Sequence, residues 1–214
     1  MAGYRIVTSG RSPSFPAPHE FLDRADEAAP GLVMLGSDYS LEGVFDGASF
    51  VLVELGNECL AVHGGLALGQ DNGDGRLLGF ARFGLGTGEP GQLVELVRQP
   101  WTTPAALDGA CAAFESAGLT VAVCEDFPGR IVNRLLRPYL NAALRRLDEK
   151  LATAEDLDRT LCLGLGYPEG PIALLNRTGL AEHFEVTQAL YEALGQEAYA
   201  PARAARVAWE RAAS

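Results

Sequence analysis

The chain has 214 residues, of which 48% are hydrophobic and 21% charged, so it carries enough apolar material for one large domain or two small ones. This composition excludes a disordered chain, a collagen-like repeat and a coiled-coil rod. Twenty-eight acidic residues against 17 basic ones give a net charge of −11. That charge argues against a nucleic-acid partner, because phosphate backbones bind clustered cations, but it is compatible with a small anionic ligand.

The sequence shows no targeting, membrane or metal signal. MAGYRIVTSG has no basic segment before a long apolar run, and no stretch approaches the roughly 18–20 apolar residues of a membrane span, so we expect a cytoplasmic protein outside the membrane. The four cysteines and three histidines are scattered, which predicts reduced cysteines in the core, structural or surface histidines and no metal site. Gln70–Gly75 superficially resembles a calcium loop, but its acidic spacing does not fit one, and we interpret it as a surface turn.

The first 126 residues alternate between strand-like and helix-like segments. Thr102 or Thr103 before Pro104 is typical of a helix start, and Gly118 of a helix end. Strand, helix and strand in that order indicate a mostly parallel sheet with covering helices. The predicted strands are Tyr4–Val7, Gly31–Gly36, Phe50–Leu55, Leu77–Phe83 and Leu119–Cys124, with one helical turn at Phe21–Ala25 and a helix over Pro104–Ala117.

The remainder of the chain reads as helix only. Apolar residues recur at three and four positions from Ile131 to Leu147, which predicts an amphipathic helix containing Pro138. Thr153 predicts the start of a second helix, and two more are expected over 172–177 and 180–194. We therefore predict two domains, an α/β domain over residues 1–126 and an all-α domain over residues 127–214.

Several segments in this order resemble the 3-hydroxyacyl-CoA dehydrogenase family over residues 93–200. They are LVELV from Leu93, EDFPGRIVNRLL from Glu125, PYLN from Pro138, AEDLD from Ala154, LGLGYPEGP from Leu163, and Gly179-Leu180. The resemblance implies a reduced Rossmann-like domain followed by an all-α helical domain like the C-terminal domain of 6-phosphogluconate dehydrogenases. Such a pair forms the second half of the longer, two-unit members. It also implies fatty acid metabolism, with NAD as cofactor and acyl-CoA as substrate.

The NAD-binding turn of the family is absent from the expected place. The family binds the pyrophosphate of NAD with a Gly-rich turn after its first strand, where a helix begins. Here Thr8–Phe15 reads TSGRSPSF, with one glycine and a proline at the position where a helix should start. About 120 residues precede the helical part, and the family's complete dinucleotide domain needs roughly 180. We therefore expect that this chain by itself binds NAD poorly.

The catalytic residues are matched only in part. The family takes a proton from the 3-hydroxyl with a histidine that a glutamate orients. Glu95 matches that glutamate and Asn133 matches the catalytic-site asparagine, but the position of the histidine falls on Phe83 or, with a two-residue insertion, on Ala81. Glu95 and Asn133 are therefore either residues retained for catalysis or residues that serve packing and capping.

Arginines near the start of the long helix have two interpretations. Arg130 and Arg134, with Arg137, either form a solvated helix face or contact the phosphate or adenine of CoA. The function most consistent with this pattern is a component of NAD-dependent 3-hydroxyacyl-CoA oxidation with weak or no activity of its own. The alternative is a noncatalytic dimerisation or acyl-CoA-binding scaffold. In either case we expect a homodimer, or a complex with a related dehydrogenase subunit, formed through the helices after residue 127.

Overall fold

The computed structural model describes residues 3–37, 39–63, 74–86 and 88–213. The chain divides into two compact units, residues 1–84 with 89–130 and residues 85–88 with 131–214. Most of the calcium-like segment, residues 70–73, lies outside the described residues. No helix within the described ranges is long and apolar enough to cross a membrane.

The first unit is built on a sheet whose strands follow one another in chain order. Strands β1 to β4 are parallel, β5 runs antiparallel to β4, and β6 is parallel to β5. The mostly parallel α/β arrangement predicted from the sequence is therefore confirmed. The strands in the described part of the chain are β1 (Tyr4–Ser9), β2 (Gly31–Gly36), β3 (Phe50–Glu54), β4 (Leu77–Arg82), β5 (Leu93–Arg98) and β6 (Thr120–Glu125).

Both faces of the sheet are covered, which explains the continuous apolar runs of β2 and β3. One face packs against the short helix α1 (Glu20–Asp23) and against α2 (Pro104–Ser116) through a cluster that includes Phe21 and Phe114. Helix α2 begins as predicted, because the Thr103 side chain accepts a hydrogen bond from the Ala106 amide and Pro104 occupies the first turn. The other face is covered by loop residues, without an α-helix in the described residues.

The second unit is all helical. Its core contains Leu140, Leu144, Ile172 and Leu175, all at most 3% exposed. The long helix continues through Pro138, and a C-terminal helix is present that the sequence reading did not predict. The helices are α3 (Val132–Asp148), α4 (Ala154–Leu165), α5 (Pro171–Thr178), α6 (Leu180–Leu194) and α7 (Arg203–Ala212).

The GLGYPEGP segment joins α4 to α5, and several of its glycines and prolines have structural roles in this connection. Gly166 ends α4 in a left-handed conformation at φ 73°, and Pro171 occupies the first turn of α5. A Cβ at Gly170 would lie 2.2 Å from the Cβ of Asp158. The Asp158 carboxylate in turn accepts hydrogen bonds from the Ile172 and Ala173 amides at 2.8 and 2.9 Å. Asp158, on α4, therefore caps α5.

Candidate functional site

The carboxyl ends of β1, β2 and β3 meet around the side chain of Glu54. Its Oε1 accepts hydrogen bonds from the Ser12 hydroxyl at 2.9 Å and the Ser14 amide at 2.6 Å. Its Oε2 accepts one from the Gly36 amide at 2.8 Å. Glu54 is 4% exposed, and no ion pair to it is found in the described part of the chain. Donor dipoles from two neighbouring strand ends thus surround this carboxylate.

The loop after β1 is fixed in place by two arginine contacts and a buried ring. Arg82 donates a hydrogen bond to the Ser14 carbonyl at 2.9 Å and lies 4.9 Å above the centre of the Phe15 ring. Phe15 is buried and stacks on Phe21 with ring centres 4.8 Å apart. The other Arg82 nitrogens donate to the Pro90 and Gly91 carbonyls. Arg82 therefore has a structural role, because its side chain holds the loop through these hydrogen bonds. A guanidinium cannot act as a base.

A cavity of about 150 Å³ opens beside Glu54, lined among others by Arg11, Tyr39, Glu58 and His63. His63 Nε2 lies 3.0 Å from Glu58 Oε1. Burial raises the pKa of the Glu58 carboxyl, while hydrogen bonds with His63 and the Gly56 amide lower it, and the net result is a pKa below its usual value. A histidine–carboxylate pair therefore borders this edge of the sheet, where ligands bind in open α/β folds.

The pairing of β4 with β5 decides which residue faces Glu95. Ala81 lies directly opposite Glu95 in the antiparallel ladder, and directly opposed residues project to the same face. A histidine paired with Glu95 would thus occupy position 81, where this chain has only a methyl group. The alternative position, Phe83, lies beyond the end of β4.

The space beside Glu95 is occupied instead by Arg130. Arg130 Nε lies 3.4 Å from Glu95 Oε2, and both side chains are at most 5% exposed. Arg130 Nη2 donates to the Gly56 carbonyl at 2.7 Å, whereas Nη1 is buried without a hydrogen-bond partner in the described residues. Arg130 adopts a φ of 51°, a conformation that non-glycine residues seldom adopt. Its guanidinium is directed at Glu95 and not at solvent.

Asn133 belongs to a buried polar network in the helical unit. Its Oδ1 accepts a hydrogen bond from Arg137 Nε at 3.0 Å. Arg137 Nη1 lies 3.1 Å from His183 Nδ1, and His183 Nε2 lies 2.9 Å from Asn141 Oδ1. Because a guanidinium can only donate, His183 accepts at Nδ1 and carries its proton on Nε2.

This burial changes the ionisation of both basic groups. Burial and the charge of Arg137 lower the pKa of His183 to about 3. Burial also lowers the pKa of Arg137 to about 10, opposed by the charge of Glu182. Arg137 is 2% exposed, so its interpretation as part of a solvated helix face is wrong. His183 is a structural histidine that remains neutral.

The residues selected from the sequence therefore form two separate groups. Glu95 and Arg130 form an ion pair in the first unit, and Asn133 bonds Arg137 in the second. Arg134 is half-buried on α3, and its carbonyl accepts a hydrogen bond from the Tyr199 hydroxyl at 3.2 Å. All four cysteines are free, but each is only half-buried and not the core residue that the sequence predicts. No metal-binding cluster occurs within the described ranges.

Sequence reasoning missed Glu54 and the Glu58–His63 pair. Glu54 ends an apolar strand and so reads as an ordinary strand boundary. A carboxylate directly after four buried residues was the available signal, because a buried acid needs several donors. His63 and Glu58 are five residues apart, and nothing in that spacing alone predicts their contact.

The helical unit matches a known protein family. Residues 129–212 match the family described as 3-hydroxyacyl-CoA dehydrogenase, C-terminal domain. A 3-hydroxybutyryl-CoA dehydrogenase of Bradyrhizobium diazoefficiens is 37% identical over 110 residues, covering 51% of this chain and 38% of that protein. The mitochondrial hydroxyacyl-coenzyme A dehydrogenase of Sus scrofa is 43% identical over 89 residues, 42% of this chain and 28% of that protein. The matched parts thus span well under half the length of these relatives.

Solved structures share the fold across most of the chain. The (S)-3-hydroxybutyryl-CoA dehydrogenase of Ralstonia eutropha superposes with a TM-score of 0.68 at 24% identity, covering 84% of this chain and 65% of that one. The 3-hydroxybutyryl-CoA dehydrogenase of Escherichia coli gives 0.70 at 23% identity, covering 84% and 39%. A reduced Rossmann-like domain followed by a dehydrogenase-type helical domain is therefore the fold of this chain.

Proposed function

We propose that this chain, whose residues 129–212 match the C-terminal domain of 3-hydroxyacyl-CoA dehydrogenases, serves 3-hydroxyacyl-CoA oxidation as a component without autonomous turnover. A related subunit with a complete dinucleotide domain would supply the NAD and the catalytic histidine. The second candidate is a dimerisation or acyl-CoA-binding scaffold, which the exposed side chains of Leu163 and Leu165 on α4 favour.

One observation carries this proposal: position 81, opposite Glu95, is alanine, and a guanidinium contacts the Glu95 carboxylate. A guanidinium has hydrogen-bond donors and no acceptor, so Arg130 neutralises the carboxylate and cannot accept the hydroxyl proton. General-base catalysis contributes roughly 10²–10⁴-fold in rate. A site without a base would therefore leave any intrinsic hydride transfer slow by about that factor.

The loop after β1 supports the same proposal for the cofactor. Arg82 and the buried Phe15 ring hold this loop in place. Residues 10–19, all of which the structure describes, contain no helix before the short α1. We predict that the isolated protein binds NAD or NADH no more tightly than about 1 mM, the affinity of a ligand held by few contacts. Isothermal calorimetry measures this directly. A micromolar dissociation constant would contradict the prediction.

Turnover of acetoacetyl-CoA with NADH tests the proposal as a whole. The purified chain is measured alone and then with a full-length family dehydrogenase. We expect the isolated chain to have negligible activity. Glu95→Ala and Asn133→Ala should lower the melting temperature and leave any residual turnover rate largely unchanged. Robust activity of the isolated chain, lost in either variant at unchanged melting temperature, would refute it. No effect of the chain on the second enzyme would favour the scaffold.

A second proposal concerns the arginine that contacts CoA. Arg130 is ion-paired with Glu95, and we propose that Arg134, on α3, contacts a CoA phosphate or adenine. Arg134→Ala should then weaken CoA binding in a fluorescence titration, whereas Arg159→Ala, an exposed residue paired with Glu155 on α4, should not. Equal affinities of both variants would remove Arg134 from the site.

A further inference from the structure

We propose that the carboxylate of Glu54 is a built-in anion that fills a cradle of hydrogen-bond donors at the carboxyl edge of the sheet. Removing it would uncover a binding site for a free carboxylate or phosphate. This inference goes beyond the proposed function, since it concerns a closed anion site and not the missing catalytic base.

The donors around Glu54 have the arrangement of an anion site. They come from the loop after β1 and from the last residue of β2, at the edge where open α/β sheets bind ligands. The backbone amides of Ser14 and Gly36 each donate to a different oxygen of Glu54. Convergent backbone amides of this kind hold phosphates in other proteins.

Close packing of the backbone keeps these donors convergent. Gly36 has a φ of 90°, and a Cβ there would lie 1.9 Å from the Ser9 carbonyl oxygen. A glycine is therefore required for β2 to approach the end of β1. Ser12 accepts a hydrogen bond from the Phe15 amide at 3.0 Å while donating to Glu54. The cradle is thus shaped by the fold itself and is independent of the flexibility of any long side chain.

The charge of the Glu54 carboxylate is stabilised by hydrogen-bond donors. No ion pair involves Glu54 in the part of the chain that the structure describes, and the side chain is almost fully buried. An uncompensated buried carboxylate is costly unless several donors face it. Three donors within 2.9 Å meet that requirement. A neutral group of the same size would leave at least one of those donors without an acceptor.

Chemical rescue of Glu54→Ala tests the inference. We expect its melting temperature to fall by about 5–10 °C, because charge-assisted hydrogen bonds are lost. Sodium formate, phosphate or pyrophosphate should then raise it by several degrees more than chloride at equal ionic strength. The amide resonances of Ser14 and Gly36 should shift with the added anion. The wild-type protein should show neither effect.

Glu58→Ala is the matched control, because Glu58 lines the same cavity but is more exposed. It should respond to formate and phosphate no more than to chloride. A folded Glu54→Ala protein that behaves like this control would overturn the inference. If Glu54→Ala fails to fold, Glu54→Gln decides, since it retains the volume and removes the charge. A melting temperature within about 1 °C of wild type would overturn the inference, and a loss of about 5 °C would support it.

These outcomes are separable from those of the proposed function. NAD affinity and turnover of the wild-type chain test the proposed function, whereas anion rescue of Glu54→Ala tests the cradle. The native chain could prove catalytically inactive with or without a rescuable cradle.

Discussion

The ion pair of Glu95 and Arg130 shows how a single side chain changes what a strand can do. Both groups are buried, their closest atoms are 3.4 Å apart, and Arg130 Nη1 has no hydrogen-bond partner within the described ranges. A pair with this geometry recovers little of the desolvation cost of two charges. We therefore infer that this ion pair places a guanidinium where a base would act and is not a source of stability.

Replacing one partner of this pair should cost far more than replacing both. Glu95→Ala leaves the Arg130 charge buried without its carboxylate, and we expect a loss of about 3–5 kcal/mol in the free energy of unfolding. The double replacement Glu95→Leu with Arg130→Met should lie close to wild type. Urea denaturation of the chain measures both.

An exposed pair provides the control for that comparison. Arg98 and Glu125 are each about half exposed and lie 2.6 Å apart, so Glu125→Ala should cost less than about 1 kcal/mol. If the double variant is as unstable as Glu95→Ala, the buried pair contributes net stability and our interpretation fails.

His183 should make stability depend on pH. Its folded pKa of about 3 is below the value of 6.5 for an ordinary histidine, so the unfolded chain binds the proton first as pH falls. Its contribution is complete above pH 6.5 and is lost on acidification towards pH 3. At about 1.4 kcal/mol per pH unit, lowering the pH from 6.5 to 5 should cost about 2 kcal/mol.

A histidine variant isolates this effect from the titration of carboxyl groups. His183→Gln should flatten the slope of unfolding free energy between pH 7.5 and 5, whereas His63→Gln should retain it. Denaturant midpoints at several pH values provide the comparison. An unchanged slope in His183→Gln would show that another group controls the acid response.

At the scale of the elements, Asp158 joins α4 to α5. Its two carboxylate oxygens accept the first amides of α5, which have no partner inside the helix. Helix α4 has no fully buried residue of its own, and this cap links it to α5. The cap therefore couples the stability of two helices.

Asp158→Ala should loosen α4 and the start of α5 together. We expect a cost of about 1–2 kcal/mol, typical of a lost helix cap, and faster hydrogen exchange over residues 154–165. Gly170→Ala should also destabilise the wild-type chain, because its Cβ would overlap Asp158. Its cost should shrink when Asp158 is already alanine. Additive costs in the double variant would exclude a direct clash.

At the scale of the whole molecule, the exposed apolar side chains of α4 and its surroundings need an explanation. Ile172 and Leu175 of the neighbouring helix α5 are core residues. Leu163, by contrast, is 81% exposed and Leu165 is 63% exposed. A cavity of about 370 Å³ with mostly apolar walls lies between α3 and α4. Apolar surface of this kind is typical of a subunit interface.

We predict that a second copy or a related subunit covers this surface. Sedimentation at micromolar concentration should give a mass near twice 22.7 kDa. Leu163→Glu should shift the mass to that of the monomer, because a charge would be buried without a partner. Val62→Glu, at a residue 67% exposed in the first unit, should have no effect. A wild-type monomer that also ignores an added family dehydrogenase would refute the prediction.

The sequence by itself indicated most of the elements, though not α7, together with the fold class and the resemblance of the helical part to 3-hydroxyacyl-CoA dehydrogenases. Apolar runs, helix caps and glycine stops are local signals, and they correctly indicated β2, β3, α2 and α6. The EDFPGRIVNRLL and LGLGYPEGP segments carried the resemblance, and several of their glycines and prolines serve turns and helix ends within a few residues. The absence of a histidine near position 81 was also visible directly.

Only the tertiary structure decided how distant side chains combine. Strand register, which depends on pairing between β4 and β5, placed Ala81 opposite Glu95. The Arg130 guanidinium reaches a residue 35 positions away, and Glu54 accepts donors from loops 18 to 42 positions away. Such contacts depend on the packing of the strands, and hydrophobic periodicity contains no information about them. The family could therefore be identified from the sequence, whereas the state of its site could not.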